Sequence, residues 1–152
     1  MTADPRASRQ AKMILAVRVV LGLLFVYAAS LKLVDLHAFS ESIDGYRLTP
    51  PSWSPTLALF VPSLELVVGV SLVIGRGARG AALLCAIMLV GFSAAIGQAM
   101  IRGINIDCGC FGASGPQKAD TLALVRNGAL LLLALVALIK PASSSDRPPT
   151  SG

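Results

Sequence analysis

Charged residues are scarce in this chain: they make up 14% of its 152 residues, whereas apolar residues make up 55%. A soluble domain has about 25% charged residues, because its surface must be hydrated. The shortage therefore excludes a soluble enzyme and indicates that much of the surface faces lipid.

Aromatic residues are also few, at 5% of the chain. The net charge is +5, but the basic residues form no stripe with interleaved aromatics, so we expect no nucleic-acid partner. The three cysteines, Cys85, Cys108 and Cys110, are too few for a disulfide scaffold. They are enough for one redox pair and one spare thiol.

Long apolar runs are the most abundant feature. A membrane span needs about 20 mostly apolar residues, and each span must be helical because lipid offers the backbone no hydrogen-bond partners. The sequence therefore predicts an all-α fold, a four-transmembrane-helix bundle forming one domain over residues 1–140. The tail at 141–152 has the composition of a disordered segment. The predicted spans are Met13–Val34, Thr56–Gly75, Ala81–Ile101 and Thr121–Ile139.

Lysine and arginine predict the orientation. Both tails and the short second connection together carry seven of these residues outside the spans, and the first and third connections carry three. Basic flanks remain in the cytoplasm, so we expect both termini inside and the connections 35–55 and 102–120 outside.

The first outward connection contains apolar residues at steps of three and four, which is helical spacing. We expect a short amphipathic helix in the outer interface, ended by Gly45, with a plain loop as the alternative. The residues that set the spacing are Leu36, Phe39, Ile43 and Tyr46.

The strongest chemical motif is Cys108-Gly109-Cys110 in the second outward connection. Two thiols separated by one glycine can close a small strained disulfide, which is readily reduced, and the outer compartment is oxidising. A redox-active pair is the leading interpretation. A structural disulfide, a metal site and two idle thiols are the alternatives, and we expect no metal.

Cys85 is not the missing third member of this site. It lies roughly 30 Å from the pair on helical rise, near the opposite end of the third span, and is predicted to be a buried apolar residue. Without a second thiol pair on the inner side, electrons must be exchanged with an outer protein, a membrane quinone, or both.

Ionisable residues inside spans are costly and are functional candidates by default. The sequence predicts an ion pair between Glu65 and Arg126, with Asn127 and Gln98 as hydrogen-bonding neighbours. This cluster could simply fix helix packing. Alternatively, Arg126, Glu65, Lys32 and Gln98 are candidates for binding a membrane quinone, with the quinone between the helices near Arg126 and Glu65. Arg126 or Lys32 could stabilise a cysteine thiolate or orient a quinone carbonyl, although Lys32 could instead extend to the interface.

Several of these residues resemble DoxX-like membrane proteins. The first outward segment is similar at Lys32–Asp35, Phe39, Ile43, Tyr46–Leu48 and Pro50, and the second span at Pro62–Glu65 and Gly69. The string Asp107–Gly112, followed by Arg126-Asn127, narrows the resemblance to the MauE (methylamine utilisation) branch.

The resemblance implies a membrane redox protein that works with an extracytoplasmic thioredoxin-like partner on client protein disulfides. It implies a place in the bacterial cytoplasmic membrane, with Cys108 and Cys110 as the redox pair. Glu65, Arg126 and Lys32 match recurrent family positions. A non-catalytic DoxX-like subunit or scaffold, in which the disulfide only shapes the loop, is the alternative function.

Overall fold

The structure is a computed structural model that describes residues 5–103 and 121–138. Within these ranges it contains helices and no strand, and four of the helices are long and apolar enough to cross a membrane. The predicted all-α, four-span architecture is confirmed. A single 3₁₀ turn precedes the third α-helix, and the α-helices are α1 (Pro5–Val34), α2 (Leu36–Gly45), α3 (Ser54–Ile74), α4 (Ala78–Ile101) and α5 (Thr121–Leu138).

Two predicted features lie outside the described residues. One is the connection that carries Cys108 and Cys110, and the other is the tail predicted to be disordered. The helix ends on either side of the connection, Ile101 and Thr121, are described.

Helix α1 begins at Pro5, earlier than the predicted start at Met13. The added turns contain arginine, lysine, glutamine and alanine, which are all good helix formers. Apolar content predicted where the span starts, but it gave no information on how far a polar extension continues the helix. The exposed residues Arg6, Arg9 and Lys12 lie on this extension.

Helix α2 confirms the amphipathic helix predicted in the first connection, and it ends at Gly45 as expected. The Asp35 side chain accepts a hydrogen bond from the Ala38 amide at 3.0 Å and so caps the first turn. At the other end, Ser54 donates a hydrogen bond to Asp44, which ties α2 to the first residue of α3. Because Ser54 is fully buried, this bond fixes where α2 lies on the bundle.

The four long helices form a ring. Helix α1 packs on α3 and α5, and α4 packs on the same two, so α1 and α4 are diagonal to each other. The core includes Leu21, Val68, Cys85 and Ala134, one from each long helix. Large apolar side chains also cover the outside, as a lipid-facing surface requires: Val67, Ile87 and Leu132 are each more than half exposed.

Helices α1 and α3 approach each other closely at Gly22 and Gly69. A Cβ at Gly22 would lie 2.7 Å from the Gly69 carbonyl oxygen, and a Cβ at Gly69 would lie 2.8 Å from the Gly22 carbonyl oxygen. Small residues let membrane helices approach at this distance. At Gly91, by contrast, a Cβ would have no neighbour within 4 Å among the described residues, so this glycine is not at a close helix crossing there.

Helices α3 and α4 are joined by a tight turn. Gly75 ends α3 with a φ of 86°, and Gly77 precedes α4 with a φ of 63°, both in the left-handed region that favours glycine. The Arg18 guanidinium lies beside Gly75, where the C-terminal end of α3 carries partial negative charge. This turn defines the Gly75 end of the bundle. The opposite end, where α2 lies, is called the α2 end.

Candidate functional site

A buried ion pair lies between α1 and α3. Lys32 Nζ donates to both carboxylate oxygens of Glu65, at 2.6 and 2.8 Å. The two residues are 2% and 3% exposed, so very little of the pair is accessible from outside the bundle. Two opposite charges cancel, which makes their presence in an apolar bundle tolerable.

This pairing corrects two predictions. The sequence assigned Arg126 as the partner of Glu65, and it allowed Lys32 to extend to the interface; instead, Lys32 is buried and binds Glu65. The reason is the direction of helical side chains, which tilt toward the N-terminus of their own helix. Helices α1 and α3 run in opposite directions, so the two side chains tilt toward each other. The Arg126 side chain, on α5, tilts in the same direction as that of Glu65.

Two aromatic rings flank the Lys32 ammonium group. Its Nζ lies 5.3 Å from the centre of the Phe39 ring and 5.0 Å from that of Phe92. These distances are within the range of cation–π attraction, which is strongest where the cation is desolvated. The ammonium group is therefore held by one carboxylate and two rings from three different helices.

A small cavity of about 40 Å³ lies on one side of the ion pair. Both charged residues line it, and so do Arg126 and Asn127. Asn127 is 4% exposed, and its Nδ2 has no hydrogen-bond partner in the part of the chain that the structure describes. Arg126 and Asn127 thus belong to the same polar cluster as Glu65, as predicted, although Arg126 is not the ion-pair partner predicted for it. Gln98 is half-buried and lines neither this cavity nor the next one.

A larger cavity of about 330 Å³ lies on the other side of Lys32, between α2, α3 and α4. We call it the α2 cavity. Most of its lining is apolar, and its polar members besides Lys32 are Ser42, Tyr46 and Thr49. Lys32 and Phe92 line both cavities and so form the wall between them.

Sequence reasoning missed two residues of this site. Phe92 is one of few aromatics within the spans, and its position near the outer third of α4 was the available signal. Thr49 gave no signal, because a threonine beside Pro50 in a connection is unremarkable in sequence. In the structure its Oγ1 is buried at the α2 cavity and has no hydrogen-bond partner within residues 5–103 and 121–138.

The cysteines are distributed as follows. Cys85 is fully buried in the core, which confirms the prediction of an apolar role. Cys108 and Cys110 lie outside the described residues. Their connection joins the end of α4 to the start of α5, and both helix ends are at the α2 end of the bundle, because α3 and α4 are antiparallel and α3 begins there.

The sequence of this chain is similar to one known protein family and to several curated proteins. The family described as methylamine utilisation protein MauE matches residues 10–140. A methylamine utilization protein MauE of Paracoccus denitrificans is 39% identical over 121 residues, which is 79% of this chain and 65% of the relative. The corresponding protein of Paracoccus versutus is 36% identical over 130 residues, 84% of this chain and 70% of the relative.

A third relative of the same description, from Methylorubrum extorquens, is 37% identical over 119 residues, 78% of this chain and 64% of its own length. The chain thus spans about two thirds of the length of these curated relatives. No solved structure matches it.

Proposed function

Because the chain belongs to the MauE family of methylamine utilisation proteins, we propose that it is a membrane thiol–disulfide redox protein whose reacting pair is Cys108 and Cys110. One observation carries the proposal: two thiols separated by a single glycine occupy the connection between α4 and α5, and these helices end and begin at the α2 end of the bundle. The third thiol, Cys85, is buried and unsuited to exchange with another protein.

The proposed reaction forms disulfides in exported proteins. A thiolate of a reduced partner attacks the Cys108–Cys110 disulfide, so that a mixed disulfide forms and one cysteine thiolate of this chain leaves. The second partner thiolate attacks the mixed disulfide and releases the oxidised partner. Cys108 and Cys110 are then both reduced and hold the two electrons and two protons that the partner has lost.

A membrane quinone is the proposed electron acceptor. The described residues contain no second thiol pair through which electrons could continue across the membrane. Cys85 is the one cysteine among them, so it has no second described cysteine with which to form a disulfide. Transfer of two electrons and two protons to the quinone yields quinol and restores the Cys108–Cys110 disulfide. Atoms and charge balance in each cycle.

The proposed location is the bacterial cytoplasmic membrane, with the cysteine pair on the extracytoplasmic face. Support comes from the four apolar helices, from the bacterial relatives and from the excess of basic residues on the opposite side. A compartment that permits disulfides suits a thioredoxin-like protein as the immediate partner, with client proteins downstream of it.

Trapping of the mixed disulfide tests this function. In cells, a Cys108→Ser or Cys110→Ser variant leaves one thiol that cannot complete the exchange, so one of the two is expected to accumulate a covalent adduct that reductant releases. Cys85→Ser is the matched control and should form no adduct. The absence of an adduct in both single variants, while the wild-type chain still supports disulfide formation, would overturn the proposal in favour of a scaffold.

A further inference from the structure

We infer that the α2 cavity is the binding site for the quinone ring, with Lys32 and Thr49 as its polar contacts. This inference rests on the proposed function for the choice of a quinone as ligand. It goes further in assigning a place, the α2 cavity instead of the region near Arg126 and Glu65 that the sequence predicted, and a second recognition group, Thr49, in addition to the predicted Lys32.

The size and lining of the α2 cavity suit a lipid-soluble ring. Small-molecule sites typically have volumes of about 300–1,000 Å³, mostly apolar walls and a few convergent polar groups. The α2 cavity has about 330 Å³ and is lined mainly by side chains such as Leu57, Val61 and Met88. The small cavity, at about 40 Å³, has room for water but not for a ring.

Lys32 supplies the first donor. An ammonium group has three N–H donors, and the two carboxylate oxygens of Glu65 accept two hydrogen bonds from it. One donor remains available for an acceptor in the cavity that Lys32 lines. Because Glu65 already neutralises the charge, the site favours a neutral acceptor such as a quinone carbonyl over an anionic head group.

Thr49 supplies the second donor. Its Oγ1 is buried and has no hydrogen-bond partner among the described residues. A buried hydroxyl without a partner is costly, and a ligand oxygen would remove that cost. A plain acyl chain offers no acceptor to either group, whereas a quinone has two carbonyls.

Phe39 and Phe92 complete the recognition surface. Both rings line the α2 cavity and both flank the Lys32 ammonium group. Aromatic rings stack favourably in offset or edge-to-face arrangements, so a planar ligand next to Lys32 gains contacts with them. The bound ring would lie at the α2 end of the bundle. Helix α4, which precedes Cys108 and Cys110 in the chain, ends there, and α5, which follows them, begins there.

A binding experiment tests this site independently of the thiol chemistry. The full chain with Cys108→Ser and Cys110→Ser is titrated in detergent with a benzoquinone carrying a decyl tail. Trp53, the one tryptophan of the chain, immediately precedes α3 at this end and reports binding by quenching. Decylbenzene, which has the tail but no carbonyl, is the competitor that identifies binding through hydrocarbon alone.

Two variants decide the location. Gly91→Phe places a ring in the α2 cavity, where a Cβ has open space, and should weaken binding by at least about tenfold. Gly97→Phe lies on the same helix but outside the cavity, and a Cβ there also meets none of the described residues, so this variant should leave affinity unchanged. Thr49→Val removes one hydrogen bond at nearly constant shape and should weaken binding about two- to tenfold.

Equal affinities in the two phenylalanine variants, an unchanged affinity in Thr49→Val, or full competition by decylbenzene would each overturn the site. Because the binding assay uses a chain without the reacting pair, its result does not depend on the redox proposal. Quinone binding without a trapped adduct would reject the thiol chemistry alone. A trapped adduct without quinone binding would reject this site alone.

Discussion

Replacing Lys32 by methionine is expected to destabilise the bundle by about 3–5 kcal/mol, because the Glu65 carboxylate would remain buried without its partner. Lys32 Nζ is the donor to both carboxylate oxygens, and both residues are almost fully buried. Unfolding in mixed micelles at increasing dodecyl sulfate concentration measures the change.

The double variant Lys32→Met/Glu65→Met separates charge from packing. Exchange of a buried ion pair for apolar side chains of similar volume is often neutral or stabilising, so the double variant should recover most of the lost stability. Lys12→Met removes an exposed lysine from the same helix and should have little effect. A single variant as stable as wild type, or a double variant as unstable as the single one, would show that the pair does not hold α1 to α3.

Adding a methyl group at the α1–α3 crossing should have the next largest effect. Gly22→Ala and Gly69→Ala are each expected to destabilise the protein by about 1–3 kcal/mol, because the new Cβ would lie within 3 Å of a backbone oxygen on the facing helix. A backbone oxygen cannot rotate away, so the helices themselves must separate. The same unfolding measurement applies.

The free energies of unfolding of the two single variants and the double variant distinguish a clash at this crossing from a general loss of stability. One separation of the helices relieves both clashes, so the double variant should cost less than the sum of the single variants. Gly128→Ala, in α5, is the control: its Cβ has open space, and alanine favours helix over glycine by about 0.5–1 kcal/mol. Equal effects at positions 69 and 128 would contradict the close crossing.

The architecture was predictable because membrane spans are specified within short windows of sequence. Apolar runs predicted the four long helices, and the spacing from Leu36 to Tyr46 predicted α2. In both cases the signal is local. The contact of Gly22 with Gly69 was not predicted, because it depends on how two helices cross.

The polar cluster was only partly predictable, because it depends on how helices face each other. Depth along the membrane placed Arg126 within reach of Glu65, and the direction of side-chain tilt selected Lys32 instead. The α2 cavity depends on three helices and the connection that includes Thr49, and no single window of sequence specifies such a space. The sequence therefore identified the charged residues of the site, but it did not identify which two of them form the ion pair.

The sequence identifies the two cysteines that are proposed to react, and the structure identifies the cavity that is proposed to bind the electron acceptor. Cys108 and Cys110 follow α4, and Lys32, Phe92 and Thr49 surround the cavity at the same end of the bundle. The proposed reaction depends on this shared end, because it requires the thiol pair and the lipid-soluble acceptor to meet.

The most direct test of the central claim is the side of the membrane on which Cys108 and Cys110 are accessible. Intact cells are treated with a mild reductant and then with a membrane-impermeant maleimide, using a Cys85→Ala chain so that only the pair can react. We expect full labelling from outside, with no increase after the membrane is permeabilised. Labelling only after permeabilisation would place the pair in the cytoplasm and contradict the proposed function.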